Sequence, residues 1–522
     1  MNPPGVAIDA RRSTWTRVLS WVGLIVVLGI GFVPRWHWLD QPWDLDEADY
    51  LYAASFGILA NALDAQVETP DGVRDLNRIR HRHAPGLQYL MVLWESVVGD
   101  DERLLRLCSL FAGLATIVLL WLSPRIAPGL GTWTGPFAAA LLAGMPFHAE
   151  ACKIFNMHPV SVLLLVAVVL ALTRALRTER DRDLAIVAVL VALQALMMEY
   201  GVITGCTVVL VLLIVRNPWL GFERRETGPR LFGWGLRIGR GLVRAVLLLF
   251  AVFFLLWPGG LIHANSVLNF GYYAIEYARA GHPSLVGGKT VFHLPLDTWI
   301  GWFWDFAPVF GIAFLAAAAA ILIRAKQWIV RPLAPAGVFT VIYLIVLFRQ
   351  HTFLVRYGAH TAALMCLIIG YALSRLTERR RVAGFVIAVT VIAGSAVTGF
   401  ERGFEARPGL LAYDQARDVV SVEFDASDRG LAHYASVLRR YLPSYEIHMA
   451  PIAPMTESQI EDLEAGVYDY VVLHRYVIAR FAEDPGLRLL RRGDLYEALP
   501  VIRDRGEPAV WIYRRRRGDG EE

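Results

Sequence analysis

Apolar residues run along this chain in long blocks, and a block of about 20 is enough to cross a bilayer. About eleven such blocks are readable, near 18–33, 104–122, 133–150, 157–173, 184–198, 201–215, 243–262, 299–323, 333–348, 358–374 and 382–400. The stretch 184–215 reads either as two short spans around Glu199-Tyr200 or as one longer broken span. Two regions escape the pattern. The first loop, 34–103, is too long for a simple connector. Within it, Tyr50–Leu63 and Leu87–Val98 carry apolar residues at helical spacing, which predicts amphipathic helices lying on the membrane surface. From Glu401 onward the blocks give way to short alternating runs. Val419–Val422, Tyr445–Ala450, Tyr468–Leu473 and Ala509–Tyr513 read as strands, and Gly430–Tyr441 and Thr456–Ala465 as helices, the latter opened by a Thr456/Gln459 capping box. The predicted architecture is an all-α polytopic membrane domain over 1–400, followed by a small α/β domain over 401–522.

Composition supports a membrane protein, at 56% hydrophobic residues and a mean hydropathy of +0.44. The net charge of +4 is modest, and its distribution is more telling than its sum. Arg11, Arg12 and Arg17 precede the first block. Arg174, Arg177, Arg180 and Arg182, then Arg216 to Arg244, then Arg324, Lys326 and Arg331, then Arg375 and Arg379 to Arg381 fill alternate connections. The loop 123–132, with only Arg125, is the weakest of the set. The positive-inside rule therefore puts the N-terminus in the cytoplasm. An odd number of spans puts the first loop and the C-terminal domain outside, as in a multi-pass protein of a bacterial inner membrane. No Walker-type phosphate loop is present, which argues against ATP-driven transport, and nothing points to nucleic acid. The first block is span-length with no small-residue cleavage site after it, so it reads as a span and not a signal peptide. The four cysteines are scattered singly without metal-ligand spacing.

Candidate chemistry sits in four places. Asp44, Asp46, Glu47 and Asp49 put four carboxylates in six residues, directly after the first span. Charge there is costly unless it faces water, a partner or a substrate. One or two of these acids could simply cap a helix and complement its dipole; four are harder to explain so. Tyr50 lies one helical turn beyond Asp46. Second, Arg80-His81-Arg82-His83-Ala84-Pro85-Gly86 is a basic turn, equally readable as a headgroup contact. Third, Lys153 and His158 stand in the short turn after the third span, where a snorkelling lysine is the plain alternative. Fourth, Arg349, His351 and Arg356-Tyr357 enter the tenth span from outside, against the positive-inside trend.

The order of these elements resembles the GT-C glycosyltransferases, in particular the protein O-mannosyltransferase and aminoarabinose-transferase branch. The first-loop Asp-Glu matches that family's catalytic signature, and His83-Ala84-Pro85-Gly86-Leu87 resembles its proline turn, with Gly86 for the second proline and Ala84 for the usual lysine. The resemblance implies an inverting transfer from a polyprenyl-phosphate sugar to a lipid, glycan or protein acceptor on the external face. It implies Asp46 as the base, supported by Glu47 and Asp44. Arg356, Arg349, His351 and Lys153 would hold the donor phosphate, and His83, Arg82, Tyr50 and His158 would line the substrate site. No metal site is readable and no cofactor is named, a divalent cation remaining open. The runner-up from another class is a transporter or flippase of a lipid-linked saccharide. Such a protein commonly shows two inverted halves, and no repeat is readable here.

Overall fold

The computed structural model describes residues 4–37, 39, 45–127, 129–215, 230–280, 284–286, 289–291, 294–324, 331–349, 355–403, 410–450, 455–475, 478, 483–504 and 506–516. All eleven apolar blocks fall on helix. Among the described residues, four helices are long and apolar enough to cross a membrane: Glu102–Trp121, Met157–Thr178, Val355–Arg379 and Arg381–Glu401. The bent pair Leu296–Phe306 and Pro308–Ile323 would make a fifth. The remaining blocks are shorter or broken, and the breaks have local causes. Block 133–150 divides into Thr134–Ala143 and Pro146–Ala151, and block 243–262 divides at Trp257 before Pro258. A proline has no N–H to give and is suited to the first turn of a new helix. The 184–215 stretch is two helices, Asp181–Met197 and Tyr200–Val215, with Met198 extended between them.

The helix Gly358–Arg379 is the axis of the bundle. Its apolar window is 89% buried, against 22% for the neighbouring Arg381–Glu401. The difference separates a helix enclosed by others from one that presents its apolar face outward, where lipid would take the place of protein.

The first loop is more structured than its periodicity predicts. The acidic run opens a helix, Leu45–Ala54, which is followed by Gly57–Leu63 and later by Gly86–Val98. Between them a hairpin pairs Gln66–Thr69 with Gly72–Asp75. Pro70-Asp71-Gly72 makes its turn, with Gly72 at φ +90°. That Pro-Asp-Gly is a turn signature with a mechanism, proline fixing φ and glycine taking the positive value.

In the C-terminal region, Val419–Val422 is not the predicted strand but part of the helix Leu410–Glu423. Tyr413, Ala416 and Val420 are buried at helical spacing, while Val422 is exposed. A four-residue β-branched run cannot by itself distinguish a strand from one helix face. The predicted helix Gly430–Tyr441 begins as strand, Arg429–Ala432, and becomes helix only at Ala435–Tyr441. The other three strands and the Thr456/Gln459 capping box are present. The sheet runs Glu446–Met449, Arg429–Ala432, Tyr470–His474, Glu507–Arg515, Tyr496–Ala498, its first three strands parallel and the last three antiparallel. Tyr470–His474 is buried along its whole length, as expected of a strand covered on both faces.

This layer is fastened to the first loop. The Ser436 hydroxyl donates to Asp49, Arg439 pairs with Asp71 at 3.1 Å, and the Met449 N–H donates to Asp71 at 2.7 Å.

Candidate active site

The acidic helix is positioned by its second acid. Glu47 is fully buried and accepts from Arg106 Nη2 at 2.8 Å, from Arg106 Nε at 3.1 and 3.3 Å, and from the Phe155 N–H at 2.8 Å. Arg106 is equally buried; it also reaches Glu102 at 2.5 Å and the Leu39 carbonyl at 3.0 Å. A bidentate arginine fork fixes both partners in place. Glu47 thus serves as a tie that locks the helix onto the helix Glu102–Trp121 and onto the turn before Met157, and the reacting carboxylate has to be sought elsewhere on the same helix. Asp46 is the second residue of that helix; its side chain, and Asp44 altogether, lie outside the described residues.

Two residues further along, Asp49 faces the basic turn. Its carboxylate meets His81 Nε2 at 3.1 Å and the Ser436 hydroxyl. Tyr50 packs edgewise on His81 and His83, ring centres 5.9 and 6.1 Å apart. His83 Nδ1 lies 3.0 Å from Glu199 Oε2. The turn owes its shape to a buried neighbour. Arg80 is fully buried, with Nε donating to the His83 carbonyl at 2.7 Å, Nη1 to the Asn61 carbonyl at 3.1 Å, and Nη2 to Asp64. Asp64 also accepts the Trp257 indole N–H at 3.1 Å. These bonds offset the cost of holding His81 and Arg82 at φ +56° and +63°, a conformation that costs a side-chain-bearing residue about 1 kcal/mol or more. Gly86 stands in the turn for a steric reason: a Cβ there would come within 2.6 Å of the Leu196 carbonyl oxygen.

A second bank lies across four helices and the turn Val355–Tyr357. His158, buried, stands 5.2 Å from the Tyr357 ring and 5.8 Å from His360, ring centre to ring centre. His360 bonds the Ser161 hydroxyl at 2.9 Å, and its ring lies 4.8 Å from Tyr200. Tyr343 shares a hydrogen bond of 2.7 Å with Thr204 and lies 5.9 Å from His360. Because Tyr200 follows Glu199, the two banks join: Asp49, His81, Tyr50, His83, Glu199-Tyr200, His360, His158 and Tyr357 form one continuous run of contacts, with Arg356 next to Tyr357 in the single turn Val355–Tyr357. Lys153 is nearly buried and ion-paired with Glu150 at 2.8 Å. Arg82 is half-buried, Arg349 is exposed at the end of Ala334–Arg349, and His351 lies outside the described residues. Among the described residues no group of three or more His, Cys, Asp and Glu side chains is set to hold a metal ion.

Glu199 and His360 are the residues that pattern reading did not assign. Glu199 carried a signal, being the lone charge within 184–215, and an ionisable group in such a stretch is a functional candidate in its own right. His360 sits in an ordinary first turn of helix and carried none.

A family model described as dolichyl-phosphate-mannose-protein mannosyltransferase matches residues 82–223, the window that holds His83, Lys153, His158 and Glu199. ArnT from Cupriavidus metallidurans bound to undecaprenyl phosphate superposes with a TM-score of 0.58 at 14% identity, over 96% of this chain and 98% of that one. Its apo state gives 0.58 at 15% identity over the same shares. The Archaeoglobus fulgidus oligosaccharyltransferase in the apo form gives 0.57 at 13% identity, over 92% of this chain and 73% of that one. No curated protein matches the chain in sequence. At such identities the likeness is one of fold. The resemblance to the GT-C glycosyltransferases read from the first loop is borne out at that level, and the chain is a multi-pass membrane protein with a GT-C fold.

Proposed function

We propose that this GT-C-fold membrane protein moves a sugar from a polyprenyl-phosphate donor to an acceptor on the external face of a bacterial inner membrane, with inversion at the anomeric carbon. The observation that carries the reading is the continuous contact run from the acidic helix through His83 and Glu199 to Tyr357-Arg356. It joins the elements that the resemblance assigns to acceptor and donor. A protein of the same fold holds undecaprenyl phosphate, which supports a lipid phosphate as the leaving group here.

Asp46 takes the proton of the acceptor hydroxyl or amine as the acceptor attacks the anomeric carbon. The bond from that carbon to the phosphate oxygen breaks, and polyprenyl phosphate leaves. Glu47 and Asp44 support Asp46, the former by fixing the helix. The leaving phosphate gathers negative charge, which fixed cations stabilise in the transition state. Arg356 is the principal cation, assisted in this reading by Arg349, His351 and Lys153; an arginine fork suits two phosphate oxygens. Tyr50, Arg82, His83 and His158 line the sugar. Residues 1–400 carry this machinery, with the N-terminus cytoplasmic, and 401–522 form an external domain that closes over the first loop.

Asp46→Asn tests it. Removal of a general base costs about a hundredfold or more, so transfer by the purified variant should collapse while polyprenyl-phosphate binding persists. A helix-capping role would instead lower stability by about 1 kcal/mol and leave transfer per folded molecule intact. Full transfer in Asp46→Asn would remove the catalytic assignment and favour a transporter.

A further inference from the structure

A polar cleft of about 540 Å³ opens at the Asp49–His81 end of the contact run, between the first-loop hairpin and the C-terminal layer. Its volume falls in the range of small-molecule sites, roughly 300–1,000 Å³. The Leu45–Ala54 helix forms its back wall through Asp49 and Tyr52, the hairpin and the segment after it contribute Arg74 and Arg78, and His81 and Tyr434 close it. We propose that this cleft seats a saccharide, the acceptor of the transfer; the identification of the sugar as acceptor rests on the glycosyl-transfer reading above.

Three observations point this way. First, the lining mixes carboxylates, guanidinium groups, a hydroxyl and an amide: Asp71 and Asp75 face the cleft with Arg74 and Arg78, and Thr69 and Gln66 join them. A ring of hydroxyls can donate to the former and accept from the latter. Second, Tyr52 and Tyr434 bring aromatic surface to a polar site, which suits the C–H face of a sugar. Third, two of the five non-glycine residues at positive φ among the described residues, His81 and Tyr434, line this one cleft. Backbone held in that sparsely populated region costs on the order of 1–3 kcal/mol and gathers at ligand sites. Tyr434 adopts it where the strand Arg429–Ala432 turns into the helix Ala435–Tyr441, and its ring, packed edgewise on Tyr413 and His474, is part of the cleft wall.

Other ligand classes fit less well. A lipid chain would find charged groups along most of the wall. A polyphosphate would meet Asp49, Asp71 and Asp75. A saccharide carries few charges or none, and needs the alternating donors and acceptors that are present. The placement has a consequence for the reaction: Asp49 lies three residues from Asp46 on the same helix, so a sugar seated against Asp49 has its next residue along the helix toward the proposed base.

The full-length protein in lipid nanodiscs should bind members of an array of neutral, amino and uronic oligosaccharides. Arg74→Ala and Arg78→Ala, exposed and outside the catalytic run, should each weaken the best-bound glycan about tenfold or more, the loss expected for one hydrogen bond to a charged group. Tyr434→Gly keeps a residue tolerant of positive φ while deleting the ring, and should weaken it likewise. Polyprenyl-phosphate binding, titrated separately, should be unchanged in all three. Glycan binding that ignores these substitutions, or no glycan binding while polyprenyl phosphate still binds, overturns the cleft and leaves the transfer reading standing. Loss of both ligands from the unmodified protein overturns both.

Discussion

Two sets of charges hold the first loop in place, and they are built differently. The inner set consists of Glu47 with Arg106 and Asp64 with Arg80. All four side chains are at most 2% exposed, and each arginine bonds backbone carbonyl oxygen as well as its acid. The outer set consists of Asp49 with His81 and Ser436, and Asp71 with Arg439, His448 and the Met449 N–H. It is reached by solvent, includes two imidazoles, and crosses from the first loop to the C-terminal layer. Desolvation explains the division. A buried ion pair is expensive to form and still more expensive to break, so it works as a fixed peg. A pair that keeps some access to solvent and includes a histidine is weaker and more adjustable. The inner set therefore sets where the acidic helix stands, and the outer set governs how closely the C-terminal layer sits on it.

The largest effect should come from breaking a peg. Arg106→Ala leaves Glu47 buried without its counter-ion, which costs about 3–5 kcal/mol. The thermal midpoint of the purified protein should fall steeply, with transfer lost alongside it. Replacing both partners, Glu47→Leu with Arg106→Met, removes the stranded charge and should recover a large share of that midpoint. A single variant as mild as the double would show that the pair is not desolvated and would erase the distinction between the two sets.

The next effect belongs to the outer set. Burial raises the Asp71 carboxyl, but His448, Arg439 and the Met449 N–H outweigh it and bring its pKa down to about 2. Set against its ordinary 3.8, that preference for the folded state is worth about 1–2 kcal/mol once solvent screening is allowed for. Asp71→Asn should loosen the hairpin from the layer without unfolding the bundle. Hydrogen exchange at the Met449 amide reads this directly, with roughly tenfold less protection expected. Protection equal to the unmodified protein would mean that the layer is held by packing alone.

The same contrast explains how much the sequence made legible. The bundle was readable because long apolar blocks have few alternatives, and every block folds as helix, in one piece or two. Span lengths were less so, since breaks at Met145 and Trp257 depend on a single following proline within an apolar run. The outer partners were visible as residue types: Asp49, His81 and His83 lie in the two charged motifs singled out. Their pairing was not, because Ser436 meets Asp49 across 387 positions of chain, and Glu199 meets His83 across 116. The inner set was the least visible. Glu47 looks like one more acid in an acidic run, and only the fold shows that Arg106, from inside an apolar block, takes both its oxygens. The strand misread at Val419–Val422 has the same root: four residues are too few to show a period, and the burial that decides it comes from Tyr413 and Ala416.

The smallest and sharpest test is of pH. The hydrogen bond to Asp71 raises the His448 pKa above its ordinary 6.5, against the opposing effect of burial and with help from Glu446. A raised histidine contributes fully below 6.5 and its contribution is lost as pH climbs through the folded value. Asp71 has the opposite sign: its contribution is complete above the usual carboxylate range and is lost as pH falls toward 2. Together they bracket a window, from about 4 to about 6.5, in which the layer is held most firmly to the hairpin. Met449 protection, corrected for intrinsic exchange, should peak in that window and decline modestly on either side. His448→Gln keeps a hydrogen-bonding side chain without the titration and should flatten the alkaline decline while leaving the acid decline in place. Amides around the Glu47–Arg106 peg should show neither edge over the same range. If they titrated with Met449, the two sets would be one mechanical unit; if Met449 showed no window at all, the histidine would play no part in holding the layer.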